Sequence, residues 1–342
     1  MLAVLLGAVA VITGAAAGGL PYFDVPTLNL GLEIQPFGML VATGVLLGAE
    51  VCRRYAIKYG VDDDDLRKLT GWVVVTGFIG AHVFDVLAYQ REEFADDPLL
   101  ILKLWHGISS YGGFIGGAMG LTGYIWYRRF RTGLMFDIIG CGLILGFTIG
   151  RIGCTIVHDH IGAATDFAMG FDYPWKALYD RRLLAEFPGV VQGMVTRAHN
   201  LGFYELLYLI PVNVLVLSLA FKRKKPLPAG FLAVLIAGLY APVRFFLEYL
   251  RLSSSDPRYV GLTFAQWMSI VVFGLSTYAA ITLIRTGKPA PLAAELGDRV
   301  GGFRDGVVAP KRVVLAAEGE ADGDKDAKAK PGAAKPASKK KR

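Results

Sequence analysis

Charge is what this chain has least of: Asp, Glu, Lys and Arg make up 19% of its 342 residues, apolar residues make up 54%, and the mean hydropathy is +0.44. That balance excludes an ordinary soluble domain and places the chain in a membrane. Cysteine is scarce too. Cys52, Cys141 and Cys154 lie within or beside apolar stretches with no C-x-x-C spacing, so neither a disulfide framework nor a cysteine-built zinc site is indicated. No Walker sequence and no G-x-S-x-G elbow occur, which removes the common soluble nucleotide and hydrolase chemistries. Nothing calls for a cofactor.

The net charge of +7 is not a nucleic-acid signal, because residues 286–342 hold 13 Lys/Arg against 8 Asp/Glu. With Ala, Gly and Pro between its charges, this segment has too little apolar surface to bury a core. It reads as a disordered basic cytoplasmic tail, either drawn to anionic membrane lipids or acting as an orientation and solubility tag.

A bilayer core of about 30 Å needs roughly 20 mostly apolar residues per helix. Seven runs qualify, at approximately 35–52, 70–90, 108–127, 133–150, 201–221, 229–250 and 262–284. An eighth, Leu2–Leu20, lacks a basic leader and reads as an extra N-terminal helix, with a cleaved signal sequence as the alternative. The expected fold is therefore an all-α integral membrane protein of seven transmembrane helices plus a possible extra one. Its parts are a hydrophobic segment 1–21, a transmembrane domain 22–285 and the tail 286–342. Basic residues Arg53, Arg54, Lys58, Arg67 and Lys68, then Arg128, Arg129 and Arg131, then Lys222–Lys225 mark three cytoplasmic loops. The same alternation puts residues 151–200, too long for a plain connector, outside the cytoplasm as a small head.

Ionisable groups within spans are costly and are functional candidates by default. His82 and Asp85 share a helix face, and Asp137 opens another helix as a helix-start carboxylate. Tyr240, Arg244 and Glu248 repeat every four residues with Arg251 three further on, a polar stripe on one helix. At 1.5 Å per residue, Arg244 lies roughly 22 Å from its cytoplasmic start and Arg151 about 27 Å from its own. Tyr111 and Glu205 open their helices from the outer side, so these groups converge in the outer half of the membrane. The i, i+4 spacing of Arg244 and Glu248 also permits plain mutual neutralisation. Three adjacent residues, His158-Asp159-His160, cannot all face one ion in regular structure, so no metal is assigned there.

Ser109-Ser110-Tyr111-Gly112-Gly113-Phe114-Ile115-Gly116-Gly117, Gly150-Arg151-Ile152-Gly153-Cys154, His199-Asn200-Leu201-Gly202-Phe203-Tyr204-Glu205, the stretch Tyr240–Arg251 and Gly261-Leu262-Thr263-Phe264-Ala265-Gln266-Trp267 occur in that order. Together they resemble prolipoprotein diacylglyceryl transferases, bacterial inner-membrane enzymes, from about Gln35 to Arg285. The resemblance implies transfer of the diacylglyceryl group of phosphatidylglycerol to the lipobox cysteine in a prolipoprotein signal peptide, releasing glycerol phosphate, at a site facing the outer leaflet. It implies catalytic roles for Arg151, Arg244, Tyr111, Asp159, Glu205, Glu248 and His199. Substrate contacts would fall to Arg151, Arg244, Tyr240, Gly112, Gly113, Cys154 and Arg251. Two guanidiniums suit a phosphate ester, which they hold bidentately.

Departures from the family pattern are specific. Tyr111 stands where the family commonly has His, Cys154 where it has Asn, Asp159 where it has Glu, and Phe37 where it has Tyr. Either His158, His160 or His199 then supplies the proton acceptor, or the chain is a divergent paralogue that binds lipid or precursor without the transfer. A phenol with a pKa near ~10 is the poorer base.

Overall fold

The computed structural model describes residues 18–29, 33–103, 107, 109–296, 299–300, 303 and 309–310. Its frame is helical: α1 (Pro36–Ile57), α2 (Asp63–Ala88), α3 (Ser110–Arg128), α4 (Thr132–Val157), α5 (Leu201–Phe221), α6 (Phe231–Leu247, continued by the 3-10 turn Glu248–Leu250) and α7 (Phe264–Thr286). Six of these, all but α3, are long and apolar enough to cross a membrane. Glycines and tyrosines dilute the hydropathy of α3, which has 19 residues and covers the third apolar run. The outer faces are apolar, with Leu46 on α1 73% exposed and Ile284 on α7 83% exposed, an arrangement costly in water and natural against hydrocarbon.

Two helix pairs pack most closely, α1 on α4 and α2 on α3, and α4 also packs on α5 and α6. Lipid supplies no hydrophobic drive between helices, so close backbone approach must hold them together. A Cβ added at Gly48 would sit 2.6 Å from the Gly142 carbonyl, and one at Gly80 would sit 2.6 Å from the Gly112 carbonyl. Gly48→Leu should therefore lower the melting temperature of the detergent-purified protein, by the ~1–3 kcal/mol or more that overpacking costs. An unchanged melting temperature would show that the α1–α4 seam is looser than described.

The expectation of an all-α chain is corrected by a four-stranded sheet at one end of the bundle. Strands β1 (Leu20–Pro21), β2 (Ile161–Ala164), β3 (Phe171–Pro174) and β4 (Val195–Asn200) lie in the order β1-β3-β4-β2. β1 runs parallel to β3; β4 is antiparallel to β3 and β2, with Phe171 opposite Ala198 and Ile161 opposite Asn200. Leu20, Phe171, Tyr173, Leu178 and Ala198 bury themselves beneath it as a second core. The strands have two to six residues, too few for a clear alternation of polar and apolar positions.

The expectation for Asp137 also changes, and two other polar groups take structural roles. Asp137 does not serve its own helix start: Oδ2 accepts from Gly230 N at 2.7 Å and Oδ1 from Ala233 N at 2.9 Å, capping α6, whose own N-cap is a glycine. That cap fixes where α6 begins and hence the height of Arg244. His82 and Asp85 do not bond to each other; His82 Nδ1 meets the Gly107 carbonyl at 3.2 Å and Asp85 accepts from Gln90 at 2.5 Å, bracing the α2–α3 connection. The acidic run starts α2, with Asp62 at the N-cap and no side-chain cap bond, and buried Asp65 pairs with Arg128 at 2.5 Å.

At the opposite end from the sheet, the segment after α7 packs on the bundle. Lys288 O accepts from Ala229 N at 3.1 Å, Ala290 is buried, and the Phe303 ring lies 5.8 Å from that of Phe130. Of the expected helix or signal Leu2–Leu20, residues 2–17 lie outside the described residues and Leu20 stands in strand β1; of the tail expected to be disordered over 286–342, residues 286–296 instead pack on the bundle and 311–342 lie outside the described residues.

Candidate active site

Three helix ends meet beneath the sheet. The last turns of α4 carry Arg151 and Cys154, the second turn of α5 carries Glu205, and α6 with its 3-10 turn carries Tyr240, Arg244 and Glu248. Asn200 fixes the start of α5. Its Oδ1 accepts from Phe203 N at 3.0 Å while its Nδ2 donates to the Thr155 carbonyl at 3.3 Å, tying α5 to α4.

Glu205, 1% exposed, is the hub. Its Oε2 pairs with Arg151 Nε at 2.6 Å and accepts from the Tyr240 hydroxyl at 3.3 Å; its Oε1 meets Arg244 Nη1 at 3.4 Å. Arg244 Nη2 pairs with Glu248 Oε2 at 2.9 Å and donates to the Tyr111 hydroxyl at 3.1 Å. Arg251 Nη1 continues the chain to Glu248 Oε1 at 3.5 Å and Asp256 Oδ2 at 2.6 Å. Arg151 also lies over the Phe147 ring at 4.8 Å and donates to Cys154 Sγ at 3.5 Å.

Buried guanidiniums and carboxylates alternate in this cluster, so none is left uncompensated. Each guanidinium has five N–H donors, more than these partners accept, so Arg151 and Arg244 retain donors beyond those that Glu205 engages. Aromatic rings pack about Tyr111, with Phe264 at 5.3 Å and Phe84 at 6.5 Å from its ring.

Of the residues singled out from sequence, Arg151, Arg244, Tyr111, Glu205, Tyr240, Glu248, Arg251 and Cys154 are thus joined in one connected group. Asp159 flanks it: its Oδ1 meets His160 Nδ1, and a carboxylate oxygen of Asp159 and a ring nitrogen of His160 lie within 4.8 Å of Cys154 Sγ. Gly112 and Gly113 face α2, where a Cβ on Gly112 would strike the Gly80 carbonyl and Phe84, so the smallness of Gly112 serves helix packing, while a Cβ on Gly113 would meet Ala81 Cβ at an ordinary 3.7 Å. His199 stands apart, its Nδ1 2.9 Å from the Tyr204 hydroxyl, with burial lowering its pKa. His158 is sealed in the sheet's core between the Tyr173 hydroxyl at 3.1 Å and the Phe23 carbonyl at 3.1 Å, and burial pushes its pKa down to about 4. Sequence reasoning missed Asp256, Asn200 and Phe147. Asp256 sits in a loop outside any apolar run, while Asn200 was visible only as part of a motif.

An array of long apolar helices enclosing a buried arginine–carboxylate cluster defines a polytopic membrane protein with a charged group inside its helical bundle. The family model for prolipoprotein diacylglyceryl transferase matches residues 26–282, and the chain belongs to that family, a transferase family of lipoprotein biosynthesis. It is 28% identical over 270 residues to the phosphatidylglycerol–prolipoprotein diacylglyceryl transferase of Thermosynechococcus vestitus, covering 78% of this chain and 94% of that one. Similarity to the Staphylococcus aureus enzyme of the same name is 27% over 281 residues, covering 81% and 94%; to that of Bifidobacterium adolescentis it is 24% over 283 residues, covering 81% and 84%.

Proposed function

We propose that this chain transfers the diacylglyceryl group of phosphatidylglycerol to the lipobox cysteine of a prolipoprotein signal peptide, and that Arg151 and Arg244 hold the phosphate. One observation carries the reading: two guanidiniums from different helices converge on the single buried carboxylate of Glu205.

The substrate thiolate attacks the glyceryl carbon that bears the phosphate ester. A C–S bond forms, the C–O bond breaks, and its electron pair leaves on glycerol phosphate. The lipid phosphate is a monoanion as a diester and gains a second charge as it departs. Cations fixed beside it are therefore worth more in the transition state than in the bound lipid. Glu205 and Glu248 hold the arginines in place, and Tyr240 holds Glu205.

The thiol proton needs an acceptor. Glu205 and Glu248 are engaged by arginines, and His158 and His199 are engaged by tyrosines. His160, oriented by Asp159 and close to Cys154, is the imidazole best situated for the task. Tyr111, at the family's usual histidine position, holds Arg244 instead. That substitution and Cys154 are what favour the second reading, a divergent relative that binds the lipid without transferring it.

The site belongs on the outer leaflet of a bacterial inner membrane, with α3 as a seventh span, the sheet-bearing head outside and the C-terminus in the cytoplasm. The arginine- and lysine-rich loops at the end opposite the head support this orientation. Single cysteines at positions 180 and 224 test it: a membrane-impermeant thiol reagent should label the first in intact cells and the second only after permeabilisation. The reverse pattern would put the site on the wrong leaflet.

A further inference from the structure

From the geometry at the end of α4 we infer that Cys154, Asp159 and His160 form a binding site for a borderline-soft divalent cation of the zinc class. Residue adjacency argued against a metal at His158-Asp159-His160, and that argument holds, because His158 points into the head core. The left-handed conformation of His158, φ 51°, ends α4 and turns the next two residues back over its last turn. Asp159 and His160 thereby meet Cys154, five and six positions earlier, and among the described residues these three are brought together with a thiol sulfur, a carboxylate oxygen and an imidazole nitrogen all within 4.8 Å of one another.

The donor set suits the ion. A tetrahedral zinc with bonds of roughly 2.0–2.3 Å needs donors about 3.3–3.8 Å apart, so the Asp159–His160 contact must open and both side chains approach Cys154, a modest rearrangement for Asp159, which is exposed, and His160, which is half-buried. Sulfur, nitrogen and oxygen together favour zinc over magnesium or calcium, and three protein ligands leave a fourth position for water. On binding, the Cys154 thiol loses its proton to solvent as the metal–sulfur bond forms; Asp159 and neutral His160 each donate a lone pair, and nothing is oxidised. Arg151 Nη1, 3.5 Å from the sulfur, favours the thiolate but also repels the cation, and its contact must lengthen. Cys52 and Cys141 are buried elsewhere in the bundle and take no part.

The site would occupy the imidazole assigned above as proton acceptor, so a bound cation should inhibit transfer. Metal binding itself does not depend on that assignment, and is measured directly. Detergent-purified full chain, stripped of metal, is titrated with Cd2+ while the ultraviolet thiolate-to-cadmium absorption is followed, and Zn2+ is then added as competitor. Saturation at one Cd2+ per chain, displaced by Zn2+, is expected. Cys154→Ser should abolish the band, whereas Cys52→Ser and Cys141→Ser should leave it. Asp159→Asn and His160→Gln, which need not disturb the bundle, should each weaken Cd2+ binding at least as much as the ~10–100-fold loss typical of an outer-shell change. No band in the wild type, a band that survives Cys154→Ser, or unchanged affinity in both Asp159→Asn and His160→Gln would overturn the site. Metal-free protein that binds Cd2+ as expected yet transfers nothing would instead count against the proposed reaction alone.

Discussion

Arg151→Ala and Arg244→Ala are each expected to lower diacylglyceryl transfer at least ~10²–10³-fold, the loss seen when one fixed donor to a developing anion is removed. The two side chains reach the same carboxylate from α4 and α6, and without either one the departing phosphate faces a single guanidinium. Both changes also leave Glu205 short of a cation in a buried setting, where breaking an ion pair costs about 3–5 kcal/mol. Loss of activity must therefore be separated from loss of fold. Arg151→Lys and Arg244→Lys keep the charge but lose the planar fork, so they should keep near-normal melting temperatures and still transfer poorly. Near-wild-type transfer in membranes by either alanine variant would make that arginine structural and end the phosphate-clamp account.

Replacing His160 with Gln should reduce transfer by roughly 10²–10⁴-fold, the contribution of a general base, while phosphatidylglycerol binding persists because the arginines are untouched. The other two head histidines predict differently. His158→Gln should chiefly loosen the head, since that ring fills the core among Tyr22, Phe23, Phe171 and Tyr173. His199→Gln should be mild, since its partner is the Tyr204 hydroxyl and not the arginine cluster. Tyr111→His is expected to be neutral or harmful, because the phenol already engages Arg244 and packs on Phe264. Transfer that survives replacement of all three histidines would move the proton to Tyr111, to Glu205 or to no protein group.

Much of the site could be read from one dimension because helices convert sequence spacing into height. Tyr240, Arg244 and Glu248 at four-residue intervals had to share a face, and counting residues from each helix start brought Arg151 to the level of Arg244. Partners on loops gave no such signal. Asp256 follows Arg251 by five residues in irregular chain, and only the fold brings its carboxylate to 2.6 Å from that guanidinium. The Cys154–Asp159–His160 group was hidden for a related reason: a single left-handed residue, His158, reverses the chain, and positive φ outside glycine is too uncommon to be placed from sequence even at a histidine, which is enriched there. The sheet was missed because β1 is two residues long and pairs with a strand some 150 positions later. Asp137 was assigned to the wrong helix because its acceptors face the amides of α6, a tertiary arrangement that no local rule encodes.

The most direct test of the account is transfer by the purified wild-type protein in vesicles containing phosphatidylglycerol, with a lipobox-cysteine peptide as acceptor. The account predicts a peptide whose mass rises by one diacylglyceryl group on its thiol, together with one glycerol phosphate released per peptide modified. Protein that binds phosphatidylglycerol but leaves the peptide unmodified, while Tyr111→His combined with Cys154→Asn gains the reaction, would contradict it and identify the chain as a lipid-binding relative without transferase activity.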